Sequence, residues 1–256
     1  LKRNDVSLGS IAISVRDVHK EFGRGKAPKT LALNGVSMSF EPGVMHGVIG
    51  PEGAGKTTLM RVMLGLMRPK TGEVVFTLDG KPVDFEEIRP QVAYMPQQQS
   101  LYADLSIGEH LDFFRVLYGI PDEAYRQKSE ELLKITRLSE FINRPAGKLS
   151  GGMYKKLGLM CALLRSPQVI LLDEPTNGVD PISRREFWEL LYRLSDQKIL
   201  IIVTTAYMDE AERCSLVHLI EQGKVVAEGE PRELLEKEGV RSFDELFMRQ
   251  AEKRTS

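Results

Sequence analysis

"V-M-H-G-V-I-G-P-E-G-A-G-K-T-T" (residues 44–58) is the stretch whose reading decides the fold. Its first six residues read as a short apolar strand that runs into a glycine-rich loop. From Thr57 onward, Leu59, Met63, Leu66 and Met67 follow helical spacing. The loop from Gly50 to Thr57 fits G-x-x-x-x-G-K-[ST], in the strand–loop–helix setting that this pattern needs. Gly50, Gly53 and Gly55 let the backbone turn tightly and aim its N–H groups inward. Lys56 offers a point charge to β- and γ-phosphates, and Thr57 offers a hydroxyl to Mg²⁺. Pro51, Glu52, Ala54 and Thr58 complete the stretch expected to hold the nucleotide.

Two further strand ends bear on the same chemistry. "V-I-L-L-D-E-P" (169–175) joins four apolar residues to two carboxylates and a proline. A buried strand ending in Asp173 delivers one carboxylate to the metal of the phosphate loop. Glu174 follows, and strand alternation turns it the other way, where it can hold or deprotonate an attacking water. The plainer reading, an acidic turn with Glu174 as a cap, is the weaker one once a phosphate loop lies upstream. "K-I-L-I-I-V-T-T" (198–205) is another buried strand, and an acidic segment after it reads as a helix. Ligands gather at the carboxyl ends of strands in open α/β sheets. Here Thr204 and Thr205 are followed by Ala206, whose methyl group does no such chemistry.

Around these segments the chain reads as a P-loop α/β core, mostly parallel, with an antiparallel β portion and an inserted α-helical subdomain at about 98–166. Strand patterns occur at 11–18, 36–40, 72–80 and 91–97, and a hairpin turns at Gly223. Two short charged helices follow the hairpin. Residues 1–10 are expected to be a flexible lead-in, 23–29 a loop, 11–248 the nucleotide-binding domain and 249–256 a charged tail.

"K-L-S-G-G-M" (148–153) is by itself a helix start, with Ser150 as N-cap. Taken together, however, the segments closely resemble the nucleotide-binding domain of ATP-binding cassette (ABC) transporters, over residues 11–248 and in family order. "G-P-E-G-A-G-K-T-T" resembles the Walker A loop, and Gln97 in "Y-M-P-Q" the Q-loop glutamine. "L-S-G-G-M" resembles the signature, "V-I-L-L-D-E-P" Walker B and "N-G-V-D" (177–180), ending in Asp180, the D-loop. Phe22 matches the aromatic residue that stacks on adenine. The resemblance implies a head-to-tail dimer of cassettes with two ATPs between them. Ser150, Gly151 and Gly152 then donate to the γ-phosphate of the partner cassette's ATP, a helix N-terminus once more. Gln97 reaches the Mg²⁺ and the lytic water and relays motion to a membrane subunit. That subunit's coupling helix is received beside the helical insertion, with Tyr102, Phe113 and Tyr118 as candidate linings. "L-Y-A-D-L-S-I-G-E-H-L" and "T-T-A-Y-M-D-E-A-E" further resemble the exporter branch with ABC-2 type permeases. The implied location is the cytoplasmic face of the cell membrane, through that permease.

Two positions depart from the family pattern. After the two threonines the family has a histidine that bonds the γ-phosphate and orients the water; this chain has Ala206. Glu52 stands where asparagine is common and opposes the phosphates by charge. Three readings of Ala206 stay open: natural degeneracy, as in one half of a double-cassette exporter; an engineered histidine-to-alanine change; or compensation by a nearby group. Departure at Glu52 as well favours natural degeneracy. The start at Leu1 is expected of a piece cut from a longer chain. Slow hydrolysis at the chain's own site follows, with the signature still able to complete a partner's site.

The bulk numbers leave room for few other classes. Lysine plus arginine (35) balances aspartate plus glutamate (36), so no overall field favours nucleic acid. No apolar run approaches the roughly 18 residues that span a bilayer, and no signal peptide opens the chain. Cys161 and Cys214 lack metal spacing, which fits a reduced, cytosolic protein. The histidines at 19, 46, 110 and 218 are scattered, so no metal cluster is expected. An ATP-dependent regulatory clamp, or a soluble cassette acting on ribosomes or DNA, remains as an alternative. A P-loop kinase would leave the signature and the Q-loop unexplained.

Overall fold

The structure is a computed structural model that describes residues 9–23, 29–98 and 100–255. Most of the expected lead-in and of the 23–29 loop lies outside these residues. Two long strands with alternating burial come first, β1 (Ile11–Phe22) and β2 (Thr30–Phe40). The wholly buried β3 (Met45–Ile49) leads through the phosphate loop into α1 (Lys56–Met63). Then come β4 (Thr71–Leu78), β5 (Lys81–Val83), α2 (Phe85–Ile88) and β6 (Val92–Met95). The helical part holds α3 (Ile107–Tyr118), α4 (Asp122–Thr136) and α5 (Gly151–Leu163). Next are β7 (Val169–Asp173), α6 (Pro181–Ser195) and β8 (Leu200–Thr205). The chain finishes with β9 (Leu216–Glu221), β10 (Lys224–Gly229), α7 (Pro231–Glu238) and α8 (Phe243–Thr255).

The strands form two sheets. One is antiparallel, ordered β2-β1-β4-β5; the other is ordered β10-β9-β3-β8-β7-β6 and is parallel except for the β9–β10 hairpin. β3, β7 and β8 are buried along their full length, because both faces of the parallel sheet are covered. Alternation sorts their side chains between two cores. Val48, Val169, Leu171, Leu200 and Ile202 face α1 and the antiparallel sheet. Ile49, Ile170, Leu172, Ile201 and Val203 face the helices.

Several local features differ from the sequence reading. The acidic segment after β8 is a 3-10 helix, Met208–Arg213, whose first N–H groups have no side-chain cap. Residues 249–255, expected as a tail, continue α8. β5 and α2 had no sequence signal, being three and four residues long. The scattered histidines also come together in part: His46 and His218 meet in the core, Nδ1 to Nε2 at 3.2 Å.

Candidate active site

Parallel pairing brings the chemistry to one edge. Ile49 lies beside Thr205, Thr204 beside Asp173, and Leu172 beside Met95, so four strands end level. The phosphate loop, the acid pair, Ala206 and Gln97 therefore emerge together. Gly55 turns the loop into α1 with φ 108°, and a Cβ there would lie 2.4 Å from the Ala32 carbonyl oxygen. Only glycine meets both demands. No side chain caps the α1 N-terminus, which leaves its N–H groups for an anion. The loop is pinned from outside: Gly50 N–H donates to the Thr205 carbonyl (3.2 Å) and Gly223 N–H to the Ala54 carbonyl (2.9 Å).

Lys56 is buried, and its Nζ donates to the carbonyls of Gly50 (2.8 Å) and Pro51 (2.9 Å). It also pairs with Glu174 Oε1 at 3.0 Å. Asp173 Oδ1 accepts from the hydroxyls of Thr57 (3.1 Å) and Thr204 (2.7 Å), and Oδ2 from Tyr94 (3.3 Å). Burial, then the Asp173 charge, pushes the Tyr94 hydroxyl up to about 12, so it stays a donor. Glu174 does not follow strand alternation. Its φ of 46° takes it out of β7, and its N–H donates to the Thr204 carbonyl (3.1 Å) and hydroxyl (2.9 Å). Both carboxylates consequently face the phosphate loop, Asp173 on Thr57 and Glu174 on Lys56. Gln97 Nε2 donates to Glu174 Oε2 at 2.7 Å, joined by Asn177 Nδ2 at 3.1 Å. Gln97 thus sits on the acid beside the lysine rather than on the Thr57–Asp173 pair.

This donor set fits Mg·ATP. Lys56 is satisfied here by protein oxygens, the α1 N–H groups are uncapped, and a hydroxyl and a carboxylate suited to a hard cation stand 3.1 Å apart. Magnesium, when bound, neutralises charge between phosphate oxygens. Of the remaining loop positions, Glu52 and Gly53 are exposed, Ala54 is buried, and Pro51 and Thr58 are half-buried. Ala206 follows Thr205 directly and brings only its methyl group. Phe22 ends β1 with an exposed ring, and Lys20 Nζ lies 5.6 Å from its centre.

The signature lies apart. Ser150 caps α5, accepting from Met153 N–H at 3.2 Å, and Ser150 and Gly151 are exposed. Gly152 packs on Ser183 so closely that a Cβ would lie 2.4 Å from the serine Cβ. Asp180 caps α6, accepting from Ile182 (3.1 Å) and Ser183 (2.9 Å) N–H groups, and these bonds, Ser183 first, lower its pKa. Among the described residues, no hydrogen bond or ion pair joins Ser150, Gly151, Gly152 or Asp180 to the chain's own phosphate loop. On α3, Phe113, Val116 and Leu117 are exposed and line a cavity of about 530 Å³ with Leu105, Glu109 and Asp112. Tyr102 meets Phe113 edge-on at 5.5 Å. Tyr118 is not part of this surface; it packs on Phe114 and under Arg165.

Sequence reasoning gave no role to Tyr94, Thr204, Asn177 or Lys155. Thr204 was visible as a polar residue ending an apolar strand, and Asn177 as the start of "N-G-V-D". Tyr94 stands in sequence only as part of the strand pattern at 91–97.

Fold and site together define a P-loop ATPase domain with a separate glycine-rich helix start. A family model described as ABC transporter matches residues 33–177, and the chain belongs to that family. It is similar to the probable multidrug ABC transporter ATP-binding protein YbhF of Escherichia coli K12, at 40% identity over 237 residues. That match covers 92% of this chain and 40% of YbhF, so the chain spans well under half of that relative. It is also similar to the Nod factor export ATP-binding protein I of Burkholderia orbicola, 37% identical over 88% of this chain and 73% of that one. A solved ATP-binding subunit of an ABC transporter superposes with a TM-score of 0.77 at 29% identity, covering 93% of this chain and 98% of the other. A dimeric bacterial ABC transporter cassette gives 0.75 at 26%, covering 85% and 98%.

Proposed function

We propose that this cassette drives export through an ABC-2 type permease, working as a dimer with a second cassette at the cytoplasmic face of the membrane. The names of the relatives support export, and the exposed apolar face of α3 offers the permease a docking surface. Among the described residues no helix is long and apolar enough to cross a membrane. The chain binds Mg·ATP through Lys56, Thr57 and Asp173, and Phe22 stacks on the adenine. Glu174 is the base and Gln97 orients it. Ser150, Gly151 and Gly152 serve the partner's ATP, with Asp180 at the joint between the cassettes.

Hydrolysis at the chain's own site is slow. The observation that carries this is Ala206, one residue past the Thr205 carbonyl that holds Gly50. The family resemblance puts a γ-phosphate-bonding histidine at this position, and an alanine gives neither a donor to the γ-phosphate nor a hold on water. One preorganised donor of this kind contributes about 10²–10³ in rate. Steady-state ATPase of Ala206→His is therefore expected to exceed that of the unaltered protein by at least about tenfold. Equally fast turnover in both would refute slow hydrolysis. The same alanine favours the clamp reading, in which ATP closes the dimer without useful turnover. Mixing with a complete cassette separates the two: a motor regains ATPase activity and a clamp does not.

A further inference from the structure

The loop after β6 is held by two adjacent residues of the signature helix. Lys155 Nζ donates to the Gln97 carbonyl at 3.3 Å, and Leu101 N–H donates to the Tyr154 hydroxyl at 2.8 Å. Both contacts use main-chain atoms of the loop. Lys155 lies five residues beyond Ser150 and is only 8% exposed. A buried ammonium keeps its acceptor, because no water replaces it. Burial lowers the Lys155 pKa, while the charges of Asp173 and Glu174 act to raise it, which places the amine in the field of the acid pair. The other side of Gln97 is equally committed, since its amide holds Glu174 and Glu174 holds Lys56. A continuous polar chain thus runs from the phosphate-loop lysine to the helix that carries Ser150.

We propose that Lys155 is a positioning residue that fixes the signature helix to the Q-loop main chain, so that release of Glu174 from Lys56 at this chain's phosphate loop shifts the α5 N-terminus. The purpose of such a shift rests on the reading that Ser150 to Gly152 serve a partner's ATP, but the link itself lies within one chain. It differs from a packing role in one respect: it transmits, so breaking either end alters the other.

Amide hydrogen exchange at residues 151–154 tests it, on monomeric protein and without nucleotide. Glu174→Gln breaks the far end of the chain and is expected to change exchange there by about threefold or more. In a Lys155→Met background the same change has no further effect at 151–154, while Lys155→Arg, which keeps a donor, restores it. Adding Mg·ATP to the monomer reproduces the shift in the unaltered protein and not in Lys155→Met. Additive effects of Glu174→Gln and Lys155→Met would overturn the proposal, as would loss of the response in Lys155→Arg. The comparison of variants needs neither nucleotide nor dimer, so failure to bind Mg·ATP would count against the functional reading alone.

Discussion

At the scale of single residues, Lys56 is occupied before any phosphate arrives. Glu174 neutralises it at 3.0 Å, so nucleotide must displace a buried ion pair and then sit beside the freed carboxylate. Glu174→Gln removes both obstacles. Mg·ATP affinity, measured by calorimetry, is expected to rise several-fold, and any residual hydrolysis to fall by about 10² or more with loss of the base. Weaker binding by the variant would contradict this role. Lys56, Thr57, Asp173 and Glu174 were legible in sequence because each stands at a fixed offset from a glycine turn or a strand end, and Gln97 through its resemblance to the family's Q-loop glutamine. Tyr94 and Lys155 were not, because what ties them to the site is a partner far along the chain, Asp173 and the Gln97 carbonyl. Glu174 was found by spacing but misdirected, since alternation holds only while φ stays extended and here it reaches 46°.

At the scale of elements, α5 and α6 meet in a tight contact at their starts. Gly152 and Ser183 bring the two helix starts so close that a methyl group at 152 has no room. Gly152→Ala is expected to lower stability by about 1–3 kcal/mol, read from the denaturant midpoint. Adding Ser183→Gly removes the clashing Cβ and recovers a large part of that loss; no recovery would show that the strain lies elsewhere. The long, periodic elements were visible in sequence: the continuous apolar runs of β7 and β8, the alternation in β1 and the helical character of the insertion. The short ones were not. Three-residue β5 lacks the length for a pattern, and the acidic stretch after β8 has helical composition yet closes only 3-10 turns. Gly152 stands out in sequence only as part of the signature, whereas its close contact with Ser183 needs the folded chain.

At the scale of the whole molecule, a buried chain of polar groups ties the two sheets together. Glu41 N–H donates to His46 Nε2 (3.0 Å), so His46 carries its proton on Nδ1 and passes it toward His218 Nε2 (3.2 Å). His218 Nδ1 in turn donates to Glu228 Oε2 at 2.6 Å, and Phe40 packs on both rings. Both imidazoles are neutral in this arrangement. Burial lowers each from 6.5 to about 4, with the neighbouring His218 adding to the effect on His46. A depressed folded pKa means that the contribution to stability is whole above about pH 6.5 and is lost as pH falls toward 4. At pH 5 the loss amounts to about 2 kcal/mol per imidazole, an upper value for a coupled pair. The urea midpoint should fall from pH 7 to pH 5, and His218→Gln should flatten that slope; an unchanged midpoint would count against the network. The sequence showed four separate histidines because only the folded sheet sets β3 beside β9.

That placement of β3 has a consequence for synthesis. Its two neighbours are β8 and β9, so Met45 waits for Ile201 and His46 for Leu216. At ribosomal speeds of roughly 5–20 residues per second, the first of these arrives about 8–30 s after β3 itself. Through that interval the strand that leads into the phosphate loop has two open edges and no place in a sheet. ATP therefore cannot act as a folding ligand for the growing chain, because its site is among the last parts to form. A nascent cassette needs its apolar strands shielded before its nucleotide site can form.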